Sequence, residues 1–206
     1  MLLATVVVGL VALAASALSL VSGFGLGTLL LPAFALFFPV PVAVAATAVV
    51  HVAHNVFKLA LLVRHARPWV LLAFGLPAAL AAFPGAALLT RLAGAAPLAD
   101  WRLGPLTGEV TPVALVTGLL ILAFGVLEGP GPLDRAHVSR RWLPLGGALS
   151  GFLGGLSGHQ GALRAAFLQP LGLPPPAWAG TQAALAVMVD VARLAVYGAA
   201  FLAGPL

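Results

Sequence analysis

Ser22-Gly23-Phe24-Gly25-Leu26-Gly27-Thr28 places three glycines at alternate positions inside an otherwise apolar run that extends from Leu2 to Phe38. An α-helix rises about 1.5 Å per residue and the hydrocarbon of a bilayer is roughly 30 Å thick, so one crossing takes about 20 residues. The run is too long for one crossing and short for two. It reads as a helix over Leu2 to Val21, a break at the glycines, and a half-helix ending near Pro39. The small residues from Ala12 to Ala17 give the first segment a likeness to a secretion signal. No basic residue precedes it, however, and the hydrophobicity resumes directly after it, so a retained first span is expected.

Outward from that break, the composition is that of a membrane protein. Of the 206 residues 62% are hydrophobic and 7% charged, with a mean hydropathy of +1.12, whereas a soluble domain is about 45–50% apolar and about 25% charged. A soluble globular protein is excluded. Uninterrupted spans are predicted at about Val42 to Val63, Trp69 to Leu92, Thr111 to Leu127 and Trp178 to Ala203, and a further run from Trp142 to Leu173 is broken at Ser157-Gly158-His159-Gln160-Gly161. The expectation is an all-α polytopic membrane protein, a single transmembrane domain over residues 1–206 with about six hydrophobic segments, two of them interrupted or re-entrant.

Ten Lys and Arg stand against five Asp and Glu, with a sequence pI near 11.5. The excess sits in short loops: Arg64, His65 and Arg67 in one, and Arg135, Arg140 and Arg141 against Glu128 and Asp134 in another. Two spans separate these loops, and the more polar loop between them balances Arg91 and Arg102 with Asp100 and Glu109. The positive-inside rule puts both basic loops in the cytoplasm, so the second span runs from outside to inside. The basic residues report topology in a lipid bilayer, and with no basic patch interleaved with aromatics no nucleic-acid partner is expected. The absence of cysteine excludes a disulfide framework and thiolate metal sites.

Laying residue 47 on residue 181, a constant offset of 134, brings Ser16 onto Ser150, Gly27 onto Gly161, Leu29 onto Leu163, Pro41 onto Pro175, Ala43 onto Ala177 and Thr47 onto Thr181. The shared order is a glycine break, an apolar half-helix, a Pro-bearing turn, and a Thr near the start of the next span. Two homologous repeats are expected, at about 2–128 and 142–206, the second incomplete. Interrupted helices in corresponding positions of two repeats point to a transporter site, because unwound backbone at membrane depth is tolerated only where it is buried or lines a cavity.

Polar residues in the spans fall into register with those breaks. Thr47, His51, His54, Asn55 and Lys58 form one stripe of the second span, and Thr181, Gln182, Asp190 and Arg193 lie on the last. Such groups are costly in hydrocarbon and turn toward the bundle interior, which makes them a site by default. The plainer alternatives stay open: Lys58 snorkels to the interface near Arg64, the histidines are packing residues, and Asp190 pairs with Arg193 one turn on rather than with Lys58. The breaks supply backbone: Gly25, Gly27 and Thr28 in one, His159, Gln160 and Gly161 in the other, each opening a short helix whose free N–H groups and positive dipole end suit an anion. Close helix packing is the other use of such glycines. Arg164 follows the second break, where the first repeat has Leu30. Lys58, Arg164 and Arg193 against Asp190 leave an intramembrane excess of positive charge that favours an anion.

The Ser22 to Thr28 break, the Leu29-Leu30-Leu31-Pro32 half-helix, the Ala45-Ala46-Thr47 opening and the basic loop Arg64 to Pro68, with the same order again from Ser150 to Thr181, resemble the TauE/SafE family of sulfite and organosulfonate exporters. The resemblance covers most of the chain and implies a small-anion permease of the bacterial cytoplasmic membrane built from two homologous halves. Two departures stand out. The second break reads Gly158-His159-Gln160-Gly161 with Arg164 after it, where the family has a glycine run, and the second half stops at Leu206, where the family has two further spans. The resemblance then implies a different substrate preference, and either a homo-oligomer or a divergent short relative.

The function expected is secondary transport of a small anion, sulfite or an organic sulfonate. Lys58, Arg164 or Arg193 and the half-helix ends would hold it, while Thr47, Asn55, Thr181 and Gln182 would supply hydrogen bonds. His51, His54 or Asp190 would carry protons if transport is proton-coupled. No step calls for a cofactor. The alternatives are a divalent-metal carrier, since His51-x-x-His54 is a chelating spacing, and a non-transporting membrane subunit. No enzyme is expected: there is no Cys, no G-x-S-x-G, no paired carboxylates and no His–Glu metal motif.

Overall fold

A computed structural model describes residues 2–22, 26–127 and 139–204. Gly23, Phe24, Gly25 and the loop residue Arg135 lie outside them. Eight helices make up most of the described chain: α1 (Leu2–Ser22), α2 (Leu26–Ala35), α3 (Val40–Leu62), α4 (Pro68–Ala93), α5 (Pro112–Leu127), α6 (Leu143–Ser157), α7 (Gly161–Leu168) and α8 (Pro175–Ala203). This is the all-α membrane architecture expected, with α3, α4 and α8 each long and apolar enough to cross a bilayer. Proline begins α3, α4, α6 and α8 within their first two positions. There its fixed φ suits the helix and its missing N–H costs nothing, because the first turn has no carbonyl to bond. Further inside a helix the same residue disrupts the ladder: α4 passes through a π turn at Leu71–Gly75 just before Pro77.

The packing of α4 against α6 depends on glycine. A Cβ on Gly147, Gly151 or Gly155 would lie 2.2, 1.9 or 2.2 Å from the carbonyl oxygens of Phe74, Ala78 and Ala82 respectively, so the two backbones touch along three successive turns. Without a hydrophobic drive between helices in lipid, such close backbone contact is what holds them together. Gly180 plays the same part where α8 passes the end of α3, with a Cβ there 2.5 Å from Leu62 O.

Helices α3 and α8 lie side by side and antiparallel: Gly180 near the start of α8 meets Leu62 at the end of α3, and His51 and Asp190, near the middle of each, face one another. The backbone N–H of Arg67 donates to Thr181 Oγ1 at 3.0 Å, and the Arg140 guanidinium lies 5.3 Å over the Trp69 ring. The described parts of the two basic loops therefore lie at one end of the bundle, as the charge asymmetry requires.

The polar segment between α4 and α5 departs from expectation. Rather than a plain loop it forms a hairpin, β1 (Ala99–Leu103) paired antiparallel with β2 (Leu106–Val110). Gly104, at φ +59°, takes the first position of the two-residue Gly104-Pro105 turn, where only glycine is unstrained. Two five-residue strands carrying three charges between them are too short and too polar to stand out in a sequence this apolar.

Candidate anion site

Two buried charges on α8 organise the site. Asp190 and Arg193 are 0% exposed and one turn apart, with Arg193 Nε and Nη2 at 2.9 and 2.8 Å from Asp190 Oδ1. Gln160, from the break between α6 and α7, donates Nε2 to the same oxygen at 3.1 Å. Its Oε1 accepts from Arg164 Nη1 at 3.1 Å, and Arg164 Nε donates to Gln182 Oε1. The network thus runs from Arg193 through Asp190, Gln160 and Arg164 to Gln182, and Ser150 Oγ fixes the break by donating to Gln160 O at 3.0 Å. Placing two guanidiniums and one carboxylate out of water is tolerable only when each is paired and bonded in this way. Among these three charges one positive charge remains uncompensated.

The break between α6 and α7 and the first turn of α2 meet at this network. Gly158 ends α6 in the left-handed region at φ +85°, its N–H capping the helix on Gly154 O at 2.8 Å. A Cβ there would stand 2.7 Å from Arg193 Nη1. Across the gap, a Cβ on Gly27 in the first turn of α2 would lie 3.3 Å from Gly158 O and 3.5 Å from His51 Cε1. His51 turns Nδ1 toward Asp190 Oδ2 at 3.9 Å. His159 sets Nδ1 3.1 Å from Ser157 Oγ and stacks its ring on Phe124 of α5, centroids 5.5 Å apart. Several buried atoms around this junction have no hydrogen-bond partner among the described residues: His51 Nε2, His159 Nε2, Gln182 Nε2, Asp190 Oδ2 and Arg193 Nη1.

Of the residues singled out from sequence, Gly27, His51, His159, Gln160, Arg164, Gln182, Asp190 and Arg193 are brought together. Others are used elsewhere. Thr47 donates to Ala43 O at 2.8 Å and Asn55 to His51 O at 2.9 Å, each within its own helix. Thr181 accepts from Arg67. Thr28 is partly buried on α2 and His54 partly buried on α3. Gly25 lies outside the described residues. Lys58 is buried and donates Nζ to Ser19 O of α1 at 3.3 Å, while the Asp190 carboxylate is held by Arg193 of α8. Among the described residues no three His, Asp or Glu gather to hold a metal ion, and His51 is turned to Asp190 rather than paired with His54.

Some participants escaped the sequence reading. Tyr197 donates its hydroxyl to Gly155 O, tying α8 to α6 beside the site. It is the chain's one tyrosine and falls two turns after Asp190 on the same face, which is the signal that would have found it. The Gly147, Gly151, Gly155 spacing of four is a small-residue packing signature of the same kind. Phe124, apolar in an apolar helix, carried none.

A family model described as Sulfite exporter TauE/SafE matches residues 8–206, essentially the whole chain. No curated protein and no solved structure matches it.

Proposed function

The chain belongs to the TauE/SafE sulfite exporter family, a family of membrane transporters, and on that premise we propose that it moves a small oxyanion, sulfite or an organic sulfonate, bound between its two helix breaks. The observation that carries this reading is Arg193 Nη1, a fully buried guanidinium nitrogen for which no hydrogen-bond acceptor stands among the described residues, set against the side-chain-free face of Gly158. A buried donor without a partner costs roughly 1–3 kcal/mol, more when charged. An oxyanion in the break supplies the missing acceptor. Arg164, its fork fixed by Gln160 and Gln182, provides a second positive charge, and α2 and α7 both begin at the junction, so their N-terminal dipole ends add to the field.

The chain order supports a site between repeats. Helix, break, short helix, proline turn and long helix occur in α1 to α3 and again in α6 to α8. The end of α1 and α6, the start of α2 and α7, and the start of α3 and α8 each recur at a spacing of 135 residues, one more than the offset of 134 read from the sequence, and this register matches Lys58 to Arg193 and Asn55 to Asp190. The antiparallel course of α3 and α8 is that of an inverted repeat, the arrangement in which discontinuous helices hold a substrate near the midplane.

The test is sulfite flux in vesicles containing the purified protein. Arg193→Lys, which keeps the charge but loses the planar fork, and Arg164→Ala should each lower flux by about tenfold or more. Unchanged flux in both variants would remove the anion from this place.

A further inference from the structure

The surroundings of His51 point to more than an anion cradle. Resting on the transport reading above, we infer that the substrate is an oxyanion that takes up a proton in transit, not a permanently ionised sulfonate. His51 is buried and its two ring nitrogens meet different neighbours: Nδ1 is 3.9 Å from Asp190 Oδ2, an oxygen that no donor among the described residues satisfies, and Nε2, also unpartnered among the described residues, is 3.6 Å from where a Cβ on Gly27 would stand. With Nδ1–H turned to the carboxylate, Nε2 is the atom that gains and loses a proton, and it faces the break. The charged and titratable groups around the ring are Asp190 and Arg193 from α8, Arg164 from α7, His159 from the break and His54 on its own helix. Helix α2 contributes none.

In this position the imidazolium gives its Nε2 proton to a substrate oxygen. The N–H bond breaks, an O–H bond forms, the ring is left neutral, and the substrate leaves on the far side as its conjugate acid; a proton from water on the side of entry then returns to Nε2. One anion and one proton move together. Sulfite is a base near neutral pH and can take that proton, whereas a sulfonate with the same three oxygens is the anion of a strong acid and cannot.

The experiment compares labelled sulfite with methanesulfonate in vesicles containing the protein and a trapped pH dye. Sulfite should move with one proton per anion and methanesulfonate about tenfold or more slowly, and His51→Gln should lower sulfite flux by a similar factor and abolish the accompanying proton signal. Methanesulfonate moving as fast as sulfite, or proton-coupled sulfite flux persisting in His51→Gln, overturns the inference while leaving anion transport standing. Movement of neither anion overturns both.

A separate observation concerns the hairpin. Its register pairs Ala99 with Val110, Trp101 with Gly108 and Leu103 with Leu106 on one face, and Asp100 with Glu109 and Arg102 with Thr107 on the other. The apolar face is uncovered: Trp101, Leu103 and Leu106 are 45, 72 and 60% exposed, and the Trp101 ring lies across Gly108. The strands join α4, which ends at Ala93, to α5, which begins at Pro112, so the hairpin is held at the bilayer surface. We propose that it rests on the lipid with Trp101, Leu103 and Leu106 in the interface, where an amphipathic aromatic is favoured, and the charged face in water.

The chain lacks cysteine, so single nitroxide labels introduced by Leu103→Cys, Leu106→Cys, Arg102→Cys and Thr107→Cys report without background. In phosphatidylcholine vesicles the first two should collide preferentially with oxygen and the last two with a water-soluble nickel chelate. Equal nickel access on both faces, or exclusion of both reagents from 103 and 106 as beneath a covering protein, overturns the proposal.

Discussion

Arg193 occupies the space that a side chain on Gly158 would need, its Nη1 lying 2.7 Å from the position of a Cβ there. The backbone compounds the conflict, since φ at Gly158 is +85° and a non-glycine residue in the left-handed region costs roughly 1–2 kcal/mol. Gly158→Ala should therefore lose both stability and sulfite flux. Gly172→Ala is the control, with φ +61° and nothing within 4 Å of the added atom; it should lower the unfolding temperature modestly and keep its flux. Equal flux loss in the two would show that the Arg193 contact is immaterial.

The ion pair on α8 should behave as a unit. Asp190→Ala leaves Arg193 buried without its carboxylate, and breaking a buried pair from one side costs about 3–5 kcal/mol. Adding Arg193→Leu removes the stranded charge and should restore much of that loss. Denaturant unfolding of the detergent-solubilised single and double variants reads the difference, and a double variant less stable than Asp190→Ala would contradict it.

Arg164 should depend on shape as well as charge. Its Nε and Nη1 are spent on Gln182 and Gln160, a two-point contact that an ammonium group cannot reproduce. Arg164→Lys is expected to retain expression and folding yet lose about tenfold in sulfite transport efficiency, with Arg164→Gln falling further because the charge goes too. Wild-type flux in Arg164→Lys would mean that only the field matters.

Glycines of the two kinds should separate cleanly. Gly151→Ala would set a methyl group 1.9 Å from Ala78 O, forcing α6 away from α4, and should be severely destabilising. Gly118→Ala in α5 meets nothing within 4 Å and should stabilise by about 0.5–1 kcal/mol through helix entropy. Thermal unfolding of the two variants decides whether close backbone contact sets the stability of the bundle.

The spans were legible because lipid imposes a length and an apolarity that composition reports directly, and the breaks because Gly158 and its neighbours interrupt that composition. Asp190 and Arg193 were legible as groups turned to the bundle interior because charge at membrane depth is costly, and their mutual ion pair was one of the two pairings that their spacing left open. The direction of Lys58 was not legible. Spacing along α3 gives a face but not the neighbour on that face, and the neighbour is a backbone carbonyl, Ser19 O, which every residue possesses. The stacking of Phe124 on His159 was hidden for a related reason: an aromatic in a hydrophobic helix looks the same whether it meets lipid or a ring. The hairpin was missed because its alternation lasts only five residues on each strand and its charged positions read as loop.

The half-helix α7 spans only Gly161–Leu168, about 12 Å at helical rise, yet it carries Arg164, and a central arginine costs about 2.5–3.5 kcal/mol on insertion scales. One of that arginine's partners, Gln182, belongs to α8 and leaves the ribosome later. Biogenesis of the site is thus ordered from behind: α7 has no settled place in the membrane until the helix after it has been made. A chain halted before Pro175 should leave residues 161–168 open to water-soluble labels that the full chain excludes.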